Sequence, residues 1–141
     1  MGADIYMFIE HKNPVTNKWN LVKNSKWSHN MVPINRNSGL FHILCGYNKT
    51  DFNEISVICE CKGLPLDIDK ETAFWLEDLA FTSYLSLEEI QNFDWDKEVY
   101  YFEEDSKHSE IACDFYTKII PYIRSVDTNC QNVRIVFGLS L

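Results

Sequence analysis

Residues 1–12 constrain the fold more than any other stretch, because their side chains alternate as they do in an extended strand. Between Asp4 and Glu10 the alternation has a period of two, and β-branched and aromatic residues stand on both faces. Both faces stay apolar until Glu10, which predicts a central strand covered on two sides. A strand that begins at residue 4 leaves no room for a signal peptide, and no long apolar run follows. We therefore expect a cytoplasmic protein with no membrane segment.

The end of the chain predicts a partner for this first strand. Residues 133–137 form a strong apolar strand pattern, and we expect it to lie beside the first strand with Glu10 and Arg134 close enough to pair. Turn-forming residues at 13–17 predict a hairpin that returns over 18–23. At 141 residues the chain has the size of one ordinary domain, spanning 1–141. The prediction is an α+β fold, with a single mainly antiparallel sheet packed by three to four helices.

Capping signals locate the helices. Helices are predicted at residues 40–45, 71–79, 86–93 and 109–125. Ser38 and Asp69 are suitable caps for the first two, while Ser86 and Glu89 have the spacing of a capping box. The last helix is the clearest, since its apolar residues recur at helical spacing, and Pro121 should kink it or tighten its last turn.

The remaining segments are polar or ambiguous. Residues 24–39 predict a long irregular surface loop, a length at which function or mobility is the usual explanation. Residues 55–61 alternate well enough to predict a short strand. Residues 99–102 suit either a strand or the start of a helix. The acidic run 98–110 predicts an exposed loop or, alternatively, a partner-binding edge.

The formal net charge of −8 is spread unevenly along the chain. Residues 1–50 contain six basic and two acidic residues, whereas residues 51–141 contain seven basic and nineteen acidic residues. An acidic total argues against binding of duplex nucleic acid, for which phosphate neutralisation supplies most of the affinity. The basic end can still hold a small anion, and the acidic part can cover a basic protein surface. Solvated faces of opposite sign are the alternative explanation.

Aromatic and cationic residues are interleaved in the first third of the chain. They are Trp19, Lys23, Lys26, Trp27, His29 and Arg36. Aromatic rings stack on a base while Lys and Arg side chains hold phosphates, so this cluster predicts a site for an anionic, nucleotide-like ligand. The alternative is a half-buried hairpin whose tryptophans pack in the core and whose lysines are solvated.

The cysteine content gives no indication of a metal or a disulfide framework. The five cysteines are Cys45, Cys59, Cys61, Cys113 and Cys130. Their odd number favours free thiols in a reducing cytosol. The single residue between Cys59 and Cys61 does not match the spacing of a zinc knuckle or a redox motif. We therefore assign no metal and no cofactor.

No residues have the pattern of a catalytic constellation. Asp4 and Glu10 would lie about 20 Å apart along one strand, too far for a shared site. His42 shares a helical face with Cys45, which favours packing over a catalytic pair, and His108 follows an acidic stretch and is expected to be solvated. A glycine-rich phosphate loop is absent from the sequence. No catalytic residue is assigned, and a non-enzymatic protein is favoured.

Several segments, taken in order, are similar to one protein family. The chain begins Met-Gly-Ala-Asp-Ile-Tyr and has Arg-Asn-Ser-Gly-Leu-Phe-His-Ile-Leu at 36–44 and Lys-Gly-Leu-Pro-Leu-Asp at 62–67. It continues with Ala-Phe-Thr-Ser-Tyr-Leu-Ser-Leu-Glu-Glu-Ile at 80–90 and ends with Val-Arg-Ile-Val-Phe at 133–137. These segments resemble a family of small, mostly uncharacterised phage and viral proteins that begin Met-Gly-Cys-Asp-Ile-His.

The resemblance implies a viral protein that works in the host cytosol. The polar histidines of the family fall on Tyr6, Ala80 and Thr82 here, so any chemistry that depends on them is lost in this chain. Together with the basic, tryptophan-bearing end, the resemblance predicts a virus-encoded, non-enzymatic binding protein that sequesters a nucleotide-like host signalling molecule. The alternatives are a protein–protein inhibitor or virion-associated protein that uses its acidic surface, and a diverged hydrolase. Homo-oligomerisation is left open.

Overall fold

The computed structural model describes residues 2–52 and 54–141. Its strands are β1 (Asp4–Lys12), β2 (Trp19–Leu21), β3 (Ala80–Ser86), β4 (Glu98–Tyr101), β5 (Glu104–Lys107) and β6 (Val133–Ser140). The central antiparallel sheet has the order β2-β1-β6-β3, and β4 and β5 form a separate two-stranded sheet. The first and last strands are paired from Asp4 opposite Ser140 to His11 opposite Val133, so their predicted adjacency and the α+β class are confirmed.

The sheet is covered on both faces, as the apolar alternation of β1 predicts. Ile5, Met7 and Ile9 point into the main core, which contains most of the buried side chains of the chain. Phe8 points to the opposite face and packs with Val136 in a smaller core. Full burial of each of these side chains contributes about 1.5–3 kcal/mol, so a one-residue shift in register would be costly.

Five α-helices of the described residues pack around the sheet. They are α1 (Ser38–Cys45), α2 (Lys70–Leu76), α3 (Leu87–Asn92), α4 (His108–Ala112) and α5 (Ile120–Val126). The capping box of α3 forms as predicted, and Asp69 accepts a hydrogen bond from the Glu71 N–H at the start of α2. The cap of α1 is one residue earlier than predicted. Asn37, not Ser38, accepts from the Leu40 N–H, because Asn37 keeps an extended backbone while Ser38 is already helical.

The predicted continuous helix 109–125 is wrong, and its break explains why there is one helix more than expected. The chain leaves α4 at Cys113, whose backbone has φ 52° and ψ −126°, and resumes with a π-helical turn over Phe115–Ile119. Both Ile111 and Phe115 are buried in the main core. The two side chains stay in the same core although the backbone between them is not helical. The π-helical turn ends just before Pro121, which has no N–H to continue a regular ladder.

The predicted strand over residues 55–61 is also wrong. This segment has no strand partner in the described part of the chain. Its backbone N–H groups donate hydrogen bonds to a helix and to a histidine side chain. The Ile58 N–H donates to the Ile43 carbonyl in α1, and the Ser56 N–H donates to His108. The segment therefore packs against α1 and His108 instead of extending a sheet.

The structure gives the secondary structure of residues 98–110, and partner binding by this run stays a prediction. Residues 98–101 are strand, and the acidic run folds as the β4–β5 hairpin followed by α4. The polar segment 24–39 is irregular as predicted, apart from a 3₁₀ turn at Ser28–Asn30 and the first residues of α1. Within residues 2–52 and 54–141, no helix combines the length and the apolar character needed to cross a bilayer.

Candidate functional site

Two of the predicted ligand residues, Trp19 and Lys23, lie in or just after the first hairpin. Each of them contacts a charged side chain from another part of the chain. The Trp19 ring covers the guanidinium of Arg134 at 4.0 Å from the ring centre. Lys23 lies 3.9 Å from the Glu71 carboxylate on α2, and both of these side chains are largely exposed. Trp19 therefore packs over the sheet, and Lys23 makes only a weak surface ion pair.

The next three predicted residues lie along the loop that follows the hairpin. Trp27 packs edge-on against Tyr122, with ring centres 4.8 Å apart, and His29 stacks obliquely on Trp75 at the same distance. Lys26 is exposed, and its backbone N–H donates to the Asn24 side chain. Trp27 therefore belongs partly to the main core, as the alternative interpretation of this cluster expects.

Arg36 lies at the opposite end of β1. Its guanidinium donates to both carboxylate oxygens of Asp4 at 2.7 and 3.1 Å and holds the pKa of Asp4 below its ordinary value. Trp19 pairs with Lys12, eight residues along the same strand and thus about 26 Å away. The six side chains are therefore not gathered around one hollow, and ligand binding by them stays a prediction.

A large cleft opens beside the β4–β5 hairpin, and we call it the hairpin cleft. Its volume is about 1120 Å³. Four segments form its walls: residues 36–38, a second segment that we call the 48–54 wall (residues 48, 50–52 and 54), residues 100–103, and residues 110, 111 and 113. These segments are far apart in sequence, and they meet because α1 and α4 both pack on the main core.

Aromatic rings form one side of the hairpin cleft. Phe52, Tyr101 and Phe102 form a cluster in which the Tyr101 and Phe102 ring centres are 4.4 Å apart. Phe102 is 75% exposed and Tyr100 is 59% exposed, whereas Phe52 is buried. Large apolar rings left in solvent at the mouth of a cleft mark an interaction surface.

The charge of the hairpin cleft is strongly negative. Its lining contains Asp51, Glu54, Glu103 and Glu110 against one cation, Arg36. No ion pair joins any of these four carboxylates to a cation in the described part of the chain, and Arg36 is already bound to Asp4. The field in the cleft therefore attracts cations and repels phosphates.

The tip of the hairpin has an unusual backbone. Phe102 and Glu103 both have positive φ, 48° and 69°, as a two-residue hairpin turn requires. Asn and Gly suit such positions, whereas a bulky aromatic residue there is strained. Strain of this kind is found most often at ligand clamps and switch regions. Here it directs an exposed ring and a carboxylate toward the hairpin cleft.

The floor of the hairpin cleft contains a thiol and a phenol. Cys113 is exposed, and its thiol donates to the Glu110 carbonyl at 3.2 Å. Partial burial, with a smaller effect from Cys113, raises the pKa of Tyr101. The described lining contains no histidine or lysine, and its possible general bases are carboxylates such as Glu110.

A buried histidine fixes one wall of the hairpin cleft. The His42 ring nitrogens lie 2.8 Å from the Tyr47 carbonyl and 3.0 Å from the Ile55 carbonyl, so this side chain spans the segment that carries the 48–54 wall. Cys45 donates to the Phe41 carbonyl at 3.1 Å, and burial raises the pKa of its thiol to about 12. The prediction that His42 and Cys45 are packed side chains agrees with these contacts.

The prediction that His108 is solvated is wrong. His108 is fully buried, its Nδ1 donates to the Asp94 carbonyl at 3.0 Å, and its Nε2 accepts from the Ser56 N–H at 3.2 Å. These two bonds define the neutral tautomer with the proton on Nδ1. Burial is the main cause that lowers the pKa of His108. The side chain joins the start of α4 to the segment after the 48–54 wall.

Sequence reasoning missed the hairpin cleft as a site. One of the two alternatives that the sequence offers for the acidic run 98–110 is a partner-binding edge. This run contributes residues to two of the four walls of the cleft. Nothing in the sequence marks the 48–54 wall. Among the described residues, no group of three histidine, cysteine or acidic side chains is placed to hold a metal ion.

Comparison of the chain with protein-family models, with curated proteins and with solved structures found no match. The resemblance to small viral proteins therefore stays a prediction, and the functional argument depends on the geometry of the clefts.

Proposed function

We propose that this chain is a non-enzymatic binding protein and that the hairpin cleft is its binding site. The observation that carries the proposal is a cleft of about 1120 Å³ with the exposed rings of Tyr100 and Phe102 at its mouth. Sites for small molecules usually have volumes of about 300–1,000 Å³, so the cleft has room for a large ligand or a chain segment.

The viral resemblance extends this proposal to a biological role. A virus-encoded protein in the host cytosol would use the cleft to occupy a host molecule and so keep it from its normal partner. This part rests on the resemblance alone and not on the geometry.

The proposal can be tested by nuclear magnetic resonance of the ¹⁵N-labelled protein. The probes are a panel of nucleotides, cyclic nucleotides, spermine, a lysine-rich peptide and a glutamate-rich peptide. We expect at least one probe to shift the amide signals of residues 100–103 and 110–113, and Phe102→Ala to weaken that binding. Phe74→Ala is the matched control, since Phe74 is 71% exposed on α2, which packs on the other face of the sheet. If no probe shifts the cleft signals, the proposal fails.

A nucleotide-like anion is the second candidate ligand, at a different place. The Trp27 hollow, bordered by Trp27, Tyr122 and Lys118, has a volume of about 610 Å³. The contacting rings of Trp27 and Tyr122 beside a lysine favour an aromatic anion there. Lys118 already lies 3.5 Å from Asp114 in a weak surface pair, which a phosphate would have to displace.

Calorimetry with nucleotides and cyclic nucleotides tests this second candidate. We expect Lys118→Ala to weaken binding by about 1–3 kcal/mol if the ammonium group makes a charge-assisted contact. Lys18→Ala is the control, because Lys18 is exposed beside the first hairpin and lines neither the Trp27 hollow nor the hairpin cleft. Absence of heat from every nucleotide at high concentration would remove this candidate.

A further inference from the structure

We propose that the hairpin cleft receives an extended, basic segment of another protein, which pairs with β4 as a third strand. This inference rests on the proposed binding function of the same cleft and names the class of its partner. Three independent features of the described residues converge on it: a free strand edge, carboxylates without ion-pair partners and exposed aromatic rings.

The first of these features is the free edge of β4. β4 pairs with β5 in a two-stranded sheet, and β4 makes no other backbone hydrogen bond in the described part of the chain. In a two-stranded ribbon, each strand turns alternate N–H and C=O groups away from its partner. The cleft is lined by the β4 side of the hairpin, through Tyr100 and Tyr101, and not by residues 104–107. An unpaired edge beside a cleft is the arrangement that accepts an added peptide strand.

The charges select the partner. Glu54, Glu103 and Glu110 are exposed carboxylates on three separate walls, and none has an ion-pair partner among the described residues. The like charges of these carboxylates repel one another across the cleft. A lysine or arginine side chain between them would reduce that repulsion and would also form attractive ion pairs. A nucleic acid or an acidic peptide would add to the repulsion.

The aromatic rings suit the same occupant. Tyr100 and Phe102 present ring faces and edges to solvent beside the carboxylates, and a Lys or Arg cation over such a ring is attracted by its electron-rich face. Within the protein, Lys62 already lies 4.2 Å above the Tyr84 ring and Arg134 lies 4.0 Å above the Trp19 ring. A polyamine would satisfy the carboxylates, but it has no backbone to pair with β4.

The test uses the full chain and four probes in the same resonance and calorimetry experiments. The first probe is a synthetic peptide in which lysine alternates with valine. The second replaces each lysine by glutamate, and the third keeps the lysines but carries N-methyl groups on alternate backbone nitrogens. The fourth is spermine. We expect the unmodified lysine peptide to bind, with an affinity that falls as salt rises, and the other three to bind at least about tenfold more weakly.

Surface substitutions locate the contact on the protein. Glu54→Gln and Glu103→Gln should each weaken the lysine peptide by about tenfold, since each removes one charge-assisted partner. Both positions are exposed, so these variants should fold normally. Glu77→Gln is the matched control, because Glu77 is an exposed carboxylate at the end of α2, on the other face of the sheet. An effect of Glu77→Gln equal to the effect of the cleft variants would overturn the assignment.

The remaining outcomes separate the two proposals. Equal binding of the glutamate peptide overturns the charge selection, and equal binding of the N-methylated peptide overturns the strand pairing. If only a nucleotide or spermine shifts the cleft signals, the peptide docking fails while the binding function of the cleft survives. If no probe shifts the cleft signals, both proposals fail.

Discussion

The guanidinium of Arg134 donates two hydrogen bonds to one carboxylate oxygen of Glu10, at 2.9 and 2.7 Å. The two residues stand directly opposite each other on β6 and β1, and Glu10 is completely buried. The other oxygen of Glu10 accepts from the Asp69 N–H at 3.0 Å, which ties the centre of the sheet to the start of α2. The pair predicted from sequence therefore also orients a helix.

Replacing Glu10 alone should be strongly destabilising. Glu10→Leu leaves the Arg134 guanidinium buried with only the exposed Asp67 carboxylate as a charged partner, and we expect a loss of about 3–5 kcal/mol in the free energy of unfolding. Glu10→Leu combined with Arg134→Leu should recover much of that loss. Urea denaturation measures both variants. Glu60→Gln is the control and should cost at most about 1 kcal/mol, since the Glu60–Lys49 pair is mostly exposed. Equal losses for Glu10→Leu and the control would contradict the prediction.

The capping box of α3 should contribute measurably to stability. Ser86 Oγ accepts from the Glu89 N–H at 3.0 Å, and the Glu89 carboxylate accepts from the Ser86 N–H at 3.0 Å. Ser86→Ala should lower the free energy of unfolding by about 1 kcal/mol, because a helix N–H loses its acceptor. Ser125→Ala, at an exposed position in the last turn of α5, should change it by less than about 0.5 kcal/mol. Thermal or urea unfolding distinguishes the two, and equal effects would count against a role for the cap.

The burial of His108 predicts a pH dependence. Because burial lowers its pKa below the ordinary value of 6.5, the unfolded chain takes up a proton at a higher pH than the folded chain. The stability from neutral His108 is therefore complete above about pH 6.5 and is lost as the pH falls below that value. Urea midpoints between about pH 7.5 and about pH 5.5 should decline in the wild type. His108→Gln should flatten this decline while His29→Gln keeps it, and an unchanged slope in His108→Gln would contradict the prediction.

The hairpin tip should show a trade-off between stability and binding. Phe102→Asn combined with Glu103→Gly places the residues that positive φ favours, so we expect about 1–2 kcal/mol of added stability. The same change removes an exposed ring and a carboxylate from the hairpin cleft, so binding of the lysine peptide should weaken. Urea denaturation and calorimetry on one preparation give both quantities. A double variant that is less stable than the wild type would show that the Phe102 ring contributes more by packing than the turn costs in strain.

Local sequence patterns predicted the parts of the fold that depend on near neighbours. The period-two alternation of residues 4–10 identified a central strand, and the residues at 133–137 identified its partner, because both faces had to be buried. The Ser86–Glu89 spacing predicted a helix start, since a cap needs only residues three apart. Glu10 and Arg134 could be matched because two opposite charges within buried strands require each other.

Only the tertiary structure shows where a helical or strand-like pattern in the sequence does not form the corresponding element. The helical spacing of residues 109–125 is continuous, yet the backbone turns at Cys113, and Ile111 and Phe115 both enter the main core across that turn. The alternation at 55–61 is as good as that of a strand, yet the Ile58 N–H donates to the Ile43 carbonyl of α1 and the segment joins no described sheet. Whether a segment finds a strand partner or continues as a helix depends on how the whole chain packs. No single segment contains that information.

The candidate site shows the same division. The acidic residues at 98–110 are visible in the sequence, and they suggested an edge for a partner. The hairpin cleft itself exists because four segments, separated by up to about half the chain, meet where α1 and α4 share a core. Sequence by itself determined the central pair of strands, the caps of α2 and α3 and the sign of the charge, which follow from local periodicity and composition. Only the tertiary structure brought carboxylates without ion-pair partners, exposed rings and a free strand edge together, because their proximity depends on packing between distant segments.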